Sequence, residues 1–476
     1  LNGNEENLKD IIKNLPGLDI NSNGKITANG KEIDRLLIDG ENLYKKQHQF
    51  ATENISSKII QNIDLIKNYT DFESLNNGEK TGITALNILI KDDFKNKITG
   101  QIEAFTGYKR KQKISSSLFN FRKKTKTSII ANSNNLGEIP IGLEDYFSLL
   151  ENENSLSDNS NSQVIMTNPN EIPRFLSSGN NVSFKKNDFF TVSSIINPSK
   201  KIKLDLFCVF NKAHQNEDLT RKQEFTSSED IITISEKNKI NEYNYFGIVQ
   251  LKSIYKQNEN TIFKINSNFN IDYIDRKNSI ENLSTSDLKL IDESNNPKKI
   301  SSFNSLNLTK KINSNSIFKS EIFLNYNSLN SQSKIKSNSS FLDLNFDDSN
   351  YSIFQKTRKN TTQFGYEANY NLNYKKLLCG FTSKSDFKNE LRFNSAEKYD
   401  IFKHNLTLKT YSSLLGMEAT YKFTDVLKYS VGLNHNYFIR KLQNDTYYRY
   451  FLGISMNVIV TFNNNKIGKF SYCYSS

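Results

Sequence analysis

Strict alternation of apolar and polar residues over strand-length stretches constrains this chain most. Phe263, Ile265, Ser267, Phe269, Ile271 and Tyr273 fall on one face; Lys264, Asn266, Asn268, Asn270 and Asp272 fall on the other. A second stretch sets Phe364, Tyr366, Ala368, Tyr370, Leu372 and Tyr374 against Gly365, Glu367, Asn369, Asn371 and Asn373. Period two means a strand with one face in an apolar medium and the other in water. Such segments recur from residue 84 to the end and predict a very large antiparallel sheet. An open sheet of that size exposes long unpaired edges, so closure is expected. A closed barrel with a wet lumen and an apolar outside is a form that a membrane accepts.

Composition agrees with this reading. Only 36% of the 476 residues are apolar, low for a dry core of that size. A polar lumen accounts for it, because half of each strand faces water. Disorder is the rival explanation for a chain rich in Asn, Ser and Lys, but 23 Tyr and 33 Phe oppose it. The net charge of +12 comes from dispersed lysines, which argues against nucleic acid as the partner. Lys109–Arg110–Lys111 and Arg122–Lys123–Lys124 sit at expected strand ends, where they meet anionic head groups or solvent. No run approaches the roughly 18 apolar residues that a membrane-spanning helix needs.

The first 80 residues have mixed periodicity. A helix is expected over Asn7–Lys13, stopped by Pro16–Gly17. Turns are expected at Asn23–Gly24, Asn29–Gly30 and Asp39–Gly40, with a strand over Asp34–Ile38. Gln47–Asn54 and Ser56–Ile60 read as helical, and Ile63, Leu65 and Ile66 as a strand. After a linker at Asp71–Thr81, the alternating region is expected to begin near Thr84–Lys91. The division is therefore residues 1–80 and 81–476. Tight turns are expected at Lys109–Lys111 and Asn463–Asn465, and long loops at Asn134–Asn180 and Asn278–Lys299. Tyr108, Tyr273, Tyr374, Tyr447 and Tyr448 stand near strand ends, fitting either an interfacial girdle or ordinary strand propensity.

Motifs that carry chemistry are few. Asp19, Asn21, Asn23 and Gly24 match the opening of a calcium-binding loop, but position 12, where a bidentate carboxylate belongs, is Gly30. A hairpin turn is the preferred reading. Cys208, Cys379 and Cys473 are too far apart for a zinc spacing. Cys208 reads as a small hydrophobe beside Leu204, Leu206 and Phe210, and His435 as a wall residue in register with Val431, Leu433 and Tyr437. No nucleophile elbow, phosphate loop, HExxH or CxxC is present. The sequence therefore nominates no catalytic, cofactor-binding or metal-ligating residue, requires no cofactor, and is not expected to be an enzyme.

The order Leu15-Pro16-Gly17-Leu18-Asp19-Ile20, Gly24-Lys25-Ile26-Thr27-Ala28-Asn29-Gly30-Lys31, Leu37-Ile38-Asp39-Gly40, Ala51-Thr52-Glu53-Asn54-Ile55 and Ile63-Asp64-Leu65-Ile66-Lys67 resembles the plug domain of TonB-dependent outer-membrane receptors of the Bacteroidetes kind. The remainder resembles their barrel more loosely. The resemblance implies a mainly β fold, a transmembrane antiparallel β-barrel with a small N-terminal α/β plug, in the outer membrane. It also implies the TonB complex as a partner, through a segment not present here. Outer-membrane lipids, lipopolysaccharide and an extracellular solute complete the partners, without nucleic acid. Family barrels have about 22 strands and commonly end on an aromatic residue. This sequence ends at Cys473–Tyr474–Ser475–Ser476, so the expectation is a barrel lacking its last strands.

The leading functional expectation is a receptor that imports a scarce solute through a plugged barrel, the plug's polar rim facing lumen residues Lys264, Asn266, Glu367 and Asn369. The alternative is an outer-membrane surface-binding or structural barrel without transport. A secreted all-β adhesin ranks third. The ligand and its binding residues are unknown from sequence.

Overall fold

A computed structural model of the chain describes residues 5–21, 25–70, 72, 82–139, 176, 181–226, 231–284, 288–341, 351–396, 403–423, 427–442, 445–462 and 466–475. The N-terminal unit contains helix α1 (Leu8–Asn14), strands β1 (Leu18–Ile20), β2 (Ile26–Ala28), β3 (Lys31–Glu32) and β4 (Arg35–Ile38), helix α2 (His48–Asn54), and strands β5 (Ile60–Lys67) and β6 (Thr84–Ile90). Helix α1 begins where expected. Asn7 caps it by accepting from the Asp10 amide, and the Asp10 carboxylate accepts from the Asn7 amide in return. The turns at Asn29–Gly30 and Asp39–Gly40 place both members of each pair at positive φ, which Asn, Asp and Gly tolerate best. Ser56–Ile60 forms only one 3-10 turn, over Ser57–Ile59.

Strands β1, β2 and β3 form one small sheet, while β4, β6 and β5 form a second with β6 in the centre. Strand β6 runs parallel to β4 and antiparallel to β5. Asp34 and Asp39 bracket this pairing, their carboxylates accepting from the amides of Thr84 at 2.7 Å and Ile90 at 3.0 Å. Leu8, Ile12, Ile26, Ile33, Leu36, Leu37, Ile38 and Leu43 fill the core between the sheets and helices. The segment Thr84–Ile90 is thus not the first strand of the large sheet, as its pattern suggested. The N-terminal unit runs past residue 90 rather than ending at 80. The reason is physical: β6 is covered on both faces, so its run Thr-Ala-Leu-Asn-Ile-Leu-Ile carries no solvent-facing register.

The large sheet comprises β7 (Ile98–Thr106), β8 (Gln112–Phe121), β9 (Thr125–Asn134), β10 (Val182–Ser199), β11 (Ile202–Thr226), β12 (Ile231–Asn258), β13 (Thr261–Leu283), β14 (Leu288–Asn295) and β15 (Lys298–Asn313). It continues through β16 (Ser316–Ser337), β17 (Tyr351–Tyr374), β18 (Leu377–Ala396), β19 (His404–Lys422), β20 (Leu427–Leu442), β21 (Asp445–Phe462) and β22 (Lys466–Ser475). It is a 16-stranded antiparallel meander with β7 and β22 at its edges. Among the described residues no ladder joins those two edges. Strands β14 and β15 both lie between β13 and β16 and form one line interrupted at Asn296–Pro297. Pro297 has no amide to donate, so the ladder breaks there, while its carbonyl still accepts from Ile274 at 3.0 Å.

The sheet coils into a β-barrel wall with an inverted exposure pattern. Inward Asn266 and Glu367 are 1% and 6% exposed, whereas outward Ile265 and Phe364 are 51% and 57% exposed. A water-soluble sheet would reverse this; an apolar surround explains it. The strands continue well beyond the alternating stretches. β12 has 28 residues, while roughly 9–11 tilted residues cross a bilayer. Of residues 278–299, expected as a long loop, 278–283 instead complete β13 and 288–295 form β14. There each face mixes polar and apolar side chains, with Leu283, Leu288 and Leu290 exposed beside Glu281 and Asp292, so alternation fades although the hydrogen-bond ladder continues. Short connections at 122–124, 200–201, 259–260, 314–315 and 375–376 share one rim. Strand β9 ends and β10 begins at the other rim, which also carries the turn between β7 and β8. The turn at Lys109–Lys111 is present; Asn463–Asn465 and most of Asn134–Asn180 lie outside the described residues.

Candidate functional site

The N-terminal domain sits against the inner face of β8–β12, near the short-turn rim. The chain after β4 supplies most polar contacts. The Glu41 carboxylate accepts from Asn197 Nδ2 at 2.9 Å and pairs with the Lys203 ammonium. Tyr44 donates its hydroxyl to Ser128 Oγ at 2.8 Å, and burial pushes that phenol well above its usual pKa. Lys45 Nζ donates to Gln250 Oε1 at 2.8 Å and lies 5.6 Å from the centre of the Phe207 ring. Beyond the domain, Phe72 meets Lys256 Nζ at 4.4 Å.

One aromatic anchor joins the two parts. The Phe50 ring, on α2, lies 5.5 Å from Phe189, 6.4 Å from Phe207 and 6.4 Å from Tyr44, centre to centre. Its wall partners belong to an apolar island on the inner face: Phe189, Ile195, Phe207, Val209, Phe246 and Ile248 are all buried. The wall there is apolar on both sides, which departs from the polar-lumen rule and explains runs such as Leu204–Phe210. This docking patch was the part of the interface that alternation did not disclose; doubly apolar stretches were its signal. Three of the lumen residues expected to meet the domain make contacts within the wall. Asn266 Nδ2 donates to Ser305 Oγ at 3.2 Å, Lys384 Nζ pairs with Glu367 at 3.6 Å, and Asn369 Nδ2 donates to Glu367 at 2.9 Å. These are wall-to-wall contacts on β13–β18; Lys264 shares that face.

A cavity of about 520 Å³ opens between α1, α2 and strands β7–β10. From the domain it is lined by Asn7, Lys9, Gln49, Phe50 and Glu53; from the wall by Gln101, Glu103, Lys113, Ser115, Asn132, Asn134 and Glu138. Lys113 and Asn134 stand at the long-loop ends of β8 and β9, so the cavity lies on the outer side of the domain. Lys9 pairs with Glu53 at 3.1 Å and Lys113 with Glu138 at 2.9 Å. Amides and paired charges therefore surround it, with Phe50 and Ile139 as apolar floor. Its volume suits a small solute. These partners offer hydrogen bonds and exchangeable ion pairs, not an activated nucleophile. Among the described residues no group of three or more His, Cys, Asp or Glu could hold a metal. Asp19 and Asn21 lead from β1 towards β2, whose pairing makes the segment a hairpin; Asn23–Gly24 lie outside the described residues. Cys208 and Cys379 are free thiols.

His48 reports on the domain's integrity. Burial drives its pKa down to about 4, the Arg35 guanidinium adds to the fall, and the Asp34 carboxylate opposes it. In the unfolded chain it titrates near 6.5. The folded form therefore binds fewer protons, so stability is complete above that value and lost as pH falls towards 4. We expect α2 to lose up to about 3 kcal/mol of opening free energy between pH 7 and 4. Amide exchange, corrected for intrinsic rates, reads this directly; His48→Gln should flatten the profile.

Fold and site together define a β-barrel wall whose interior holds a separate N-terminal domain. No protein-family model matches the chain, and no curated protein matches it. Solved structures do show likenesses. The ferric citrate transporter FecA in the unliganded form is 10% identical, with 99% of this chain and 71% of that one covered and a TM-score of 0.37. FpvA of P. aeruginosa, bound to heterologous pyoverdines, is 10% identical over 99% of this chain and 68% of that one, with a TM-score of 0.34. The ferric yersiniabactin uptake receptor FyuA from Yersinia pestis is 11% identical over 99% and 87%, with a TM-score of 0.26. Likenesses this distant carry no weight in assigning the function.

Proposed function

We propose that this chain is a TonB-dependent outer-membrane receptor, with the plug motifs of the Bacteroidetes kind, that imports a scarce solute past its N-terminal domain. The observation that carries the proposal is the character of the docking interface. One aromatic anchor is surrounded by exchangeable polar bonds, Glu41 to Asn197 and Lys203, Tyr44 to Ser128, and Lys45 to Gln250. A permanent core would be continuously apolar; a stopper that must be displaced benefits from partners that water can replace. In this scheme the solute settles in the cavity beside α1 and α2, and work delivered through TonB shifts the domain. The wall's apolar exterior supports an outer-membrane location as part of this reading. No catalytic step is part of the proposal.

The test is accumulation of labelled ferric complexes, peptides and oligosaccharides by cells carrying the full-length protein, with and without a TonB complex. Accumulation of one class only when TonB is present is the expected result. Absence of TonB-dependent accumulation for every class overturns the proposal. The tall wall favours a second reading, a surface binder without transport, which predicts retention of a solute at the cell surface without entry.

A further inference from the structure

Four buried amides surround one alanine on the inner wall. Ala213 on β11 lies directly opposite Asn187 on β10 and Asn244 on β12. Asn211 and Gln215 are the neighbouring inward residues on its own strand. All four amides are at most 4% exposed. The alanine side chain is a single carbon, so the longer amides stand around a low point of the wall.

Three of these amides have their nitrogens turned to acceptors. Asn187 Nδ2 donates to the Glu138 carbonyl at 2.7 Å, Gln215 Nε2 to Glu217 Oε1 at 2.7 Å, and Asn244 Nδ2 to Asp272 Oδ1 at 3.0 Å. Carbonyls and carboxylates only accept, which fixes each amide's orientation. Asn187 Oδ1, Gln215 Oε1 and Asn244 Oδ1 have no hydrogen-bond partner among the described residues, and Asn211 has none at either end. Buried polar atoms ordinarily find partners, and leaving several unmet around one residue is costly. Such a group suits a ligand that brings the donors.

Charge, aromatic neighbours and spacing select that ligand. Register places three carboxylates, Glu217, Glu242 and Asp272, on this face against two cations, Lys185 and Arg276. Donation to a carboxylate also polarises an amide and makes its oxygen a stronger acceptor. Asn211 stands between the buried rings of Phe189 and Phe246. They offer methylenes an apolar wall and an ammonium a π face, neither of which a hydrated metal ion uses. Asn211 and Gln215 are four residues apart, about 13 Å along the strand. That is too far for one ammonium to bridge.

We infer that this site binds a linear aliphatic polyamine, its ammonium groups donating to the four amide oxygens and its methylenes packing on Phe189 and Phe246. The cavity beside α1 and α2 reaches the border of the site. Asn132 and Asn134, which line it, lie opposite Phe189 and Asn187, and Glu138 lines it as well. The inference rests on the import reading, in which the solute settles in that cavity.

The test is calorimetric titration of the full-length protein in neutral detergent with spermidine, and with a neutral linear triol of equal length. Spermidine should bind saturably and the triol about tenfold or more weakly. Asn211→Leu should weaken spermidine binding by about tenfold without lowering the thermal unfolding midpoint, because it removes an amide that has no partner. Ala213→Leu fills the low point and should weaken binding similarly, which keeps the test decisive if the first variant fails to fold. Absence of saturable spermidine binding at millimolar concentration overturns the inference, as does a triol that binds equally well. Unchanged affinity in the variants overturns it too, because the amine would then sit elsewhere. Displacement by millimolar potassium overturns it as well, since the oxygens would then hold an inorganic cation. Binding is read without TonB, so failure here leaves the uptake assay intact. TonB-dependent uptake of another class without spermidine binding strikes this inference alone.

Discussion

Replacing Phe50 with alanine should loosen the N-terminal domain by about 3–5 kcal/mol, the range for emptying a buried phenylalanine site. Phe50 is 3% exposed and is the one side chain of α2 whose ring meets Phe189 and Phe207. Two consequences should appear together in the full-length protein. Amide exchange in α2 should quicken, and passive entry of a probe larger than porins admit should rise without any TonB complex. Phe50→Leu keeps most of the apolar contact and should lose less than about 1.5 kcal/mol, with little leak. Tyr44→Phe isolates the polar part. It keeps the ring but leaves Ser128 Oγ without its donor, a loss of about 1–2 kcal/mol. Faster exchange in α2 with unchanged probe entry would mean that the domain does not stopper the wall.

Much of this architecture was legible in the residues, and the unread parts share physical causes. Alternation over Phe263–Tyr273 disclosed both the strand and its faces, because one face met each medium. The span of α1 was legible as well, since Pro16–Gly17 marks its stop within a few residues; its cap, Asn7 with Asp10, came from the structure. Thr84–Ile90 misled because a strand buried on both faces loses the period that marks a wall strand. Residues 278–283 and 288–295 misled for a different reason, as polar and apolar side chains mix on each face and the period is lost. The docking island of Phe189, Phe207 and Phe246 is spread over three strands, so only their register brings the rings together. The cavity is less legible still. Lys9 and Glu53 lie 44 residues apart and Glu103 comes from a third element. No local spacing announces such a group.

The same dependence on register governs the second large effect, at Arg276 and Glu242. The two stand directly opposite on β12 and β13, and Arg276 Nε donates to Glu242 Oε2 at 2.6 Å. Their side chains are 12% and 2% exposed, on the inward face near the outer end of the membrane band. Removing one partner strands the other charge where little water reaches it. Arg276→Leu should therefore destabilise the wall by about 3–5 kcal/mol in thermal or urea unfolding from micelles. Glu242→Leu/Arg276→Leu removes both charges and should recover most of that loss, because a paired buried charge adds little over a well-packed apolar pair. The double-variant cycle also measures how wet the lumen is at this height. A single substitution that loses less than about 1 kcal/mol would mean that water screens the pair as it does at an exposed surface. The lumen above the N-terminal domain would then be an open aqueous vestibule. A coupling of several kcal/mol would instead mean that the wall is closed by its own side chains there. A solute would then reach the cavity beside α1 and α2 by a path along β7–β10 rather than past β12 and β13.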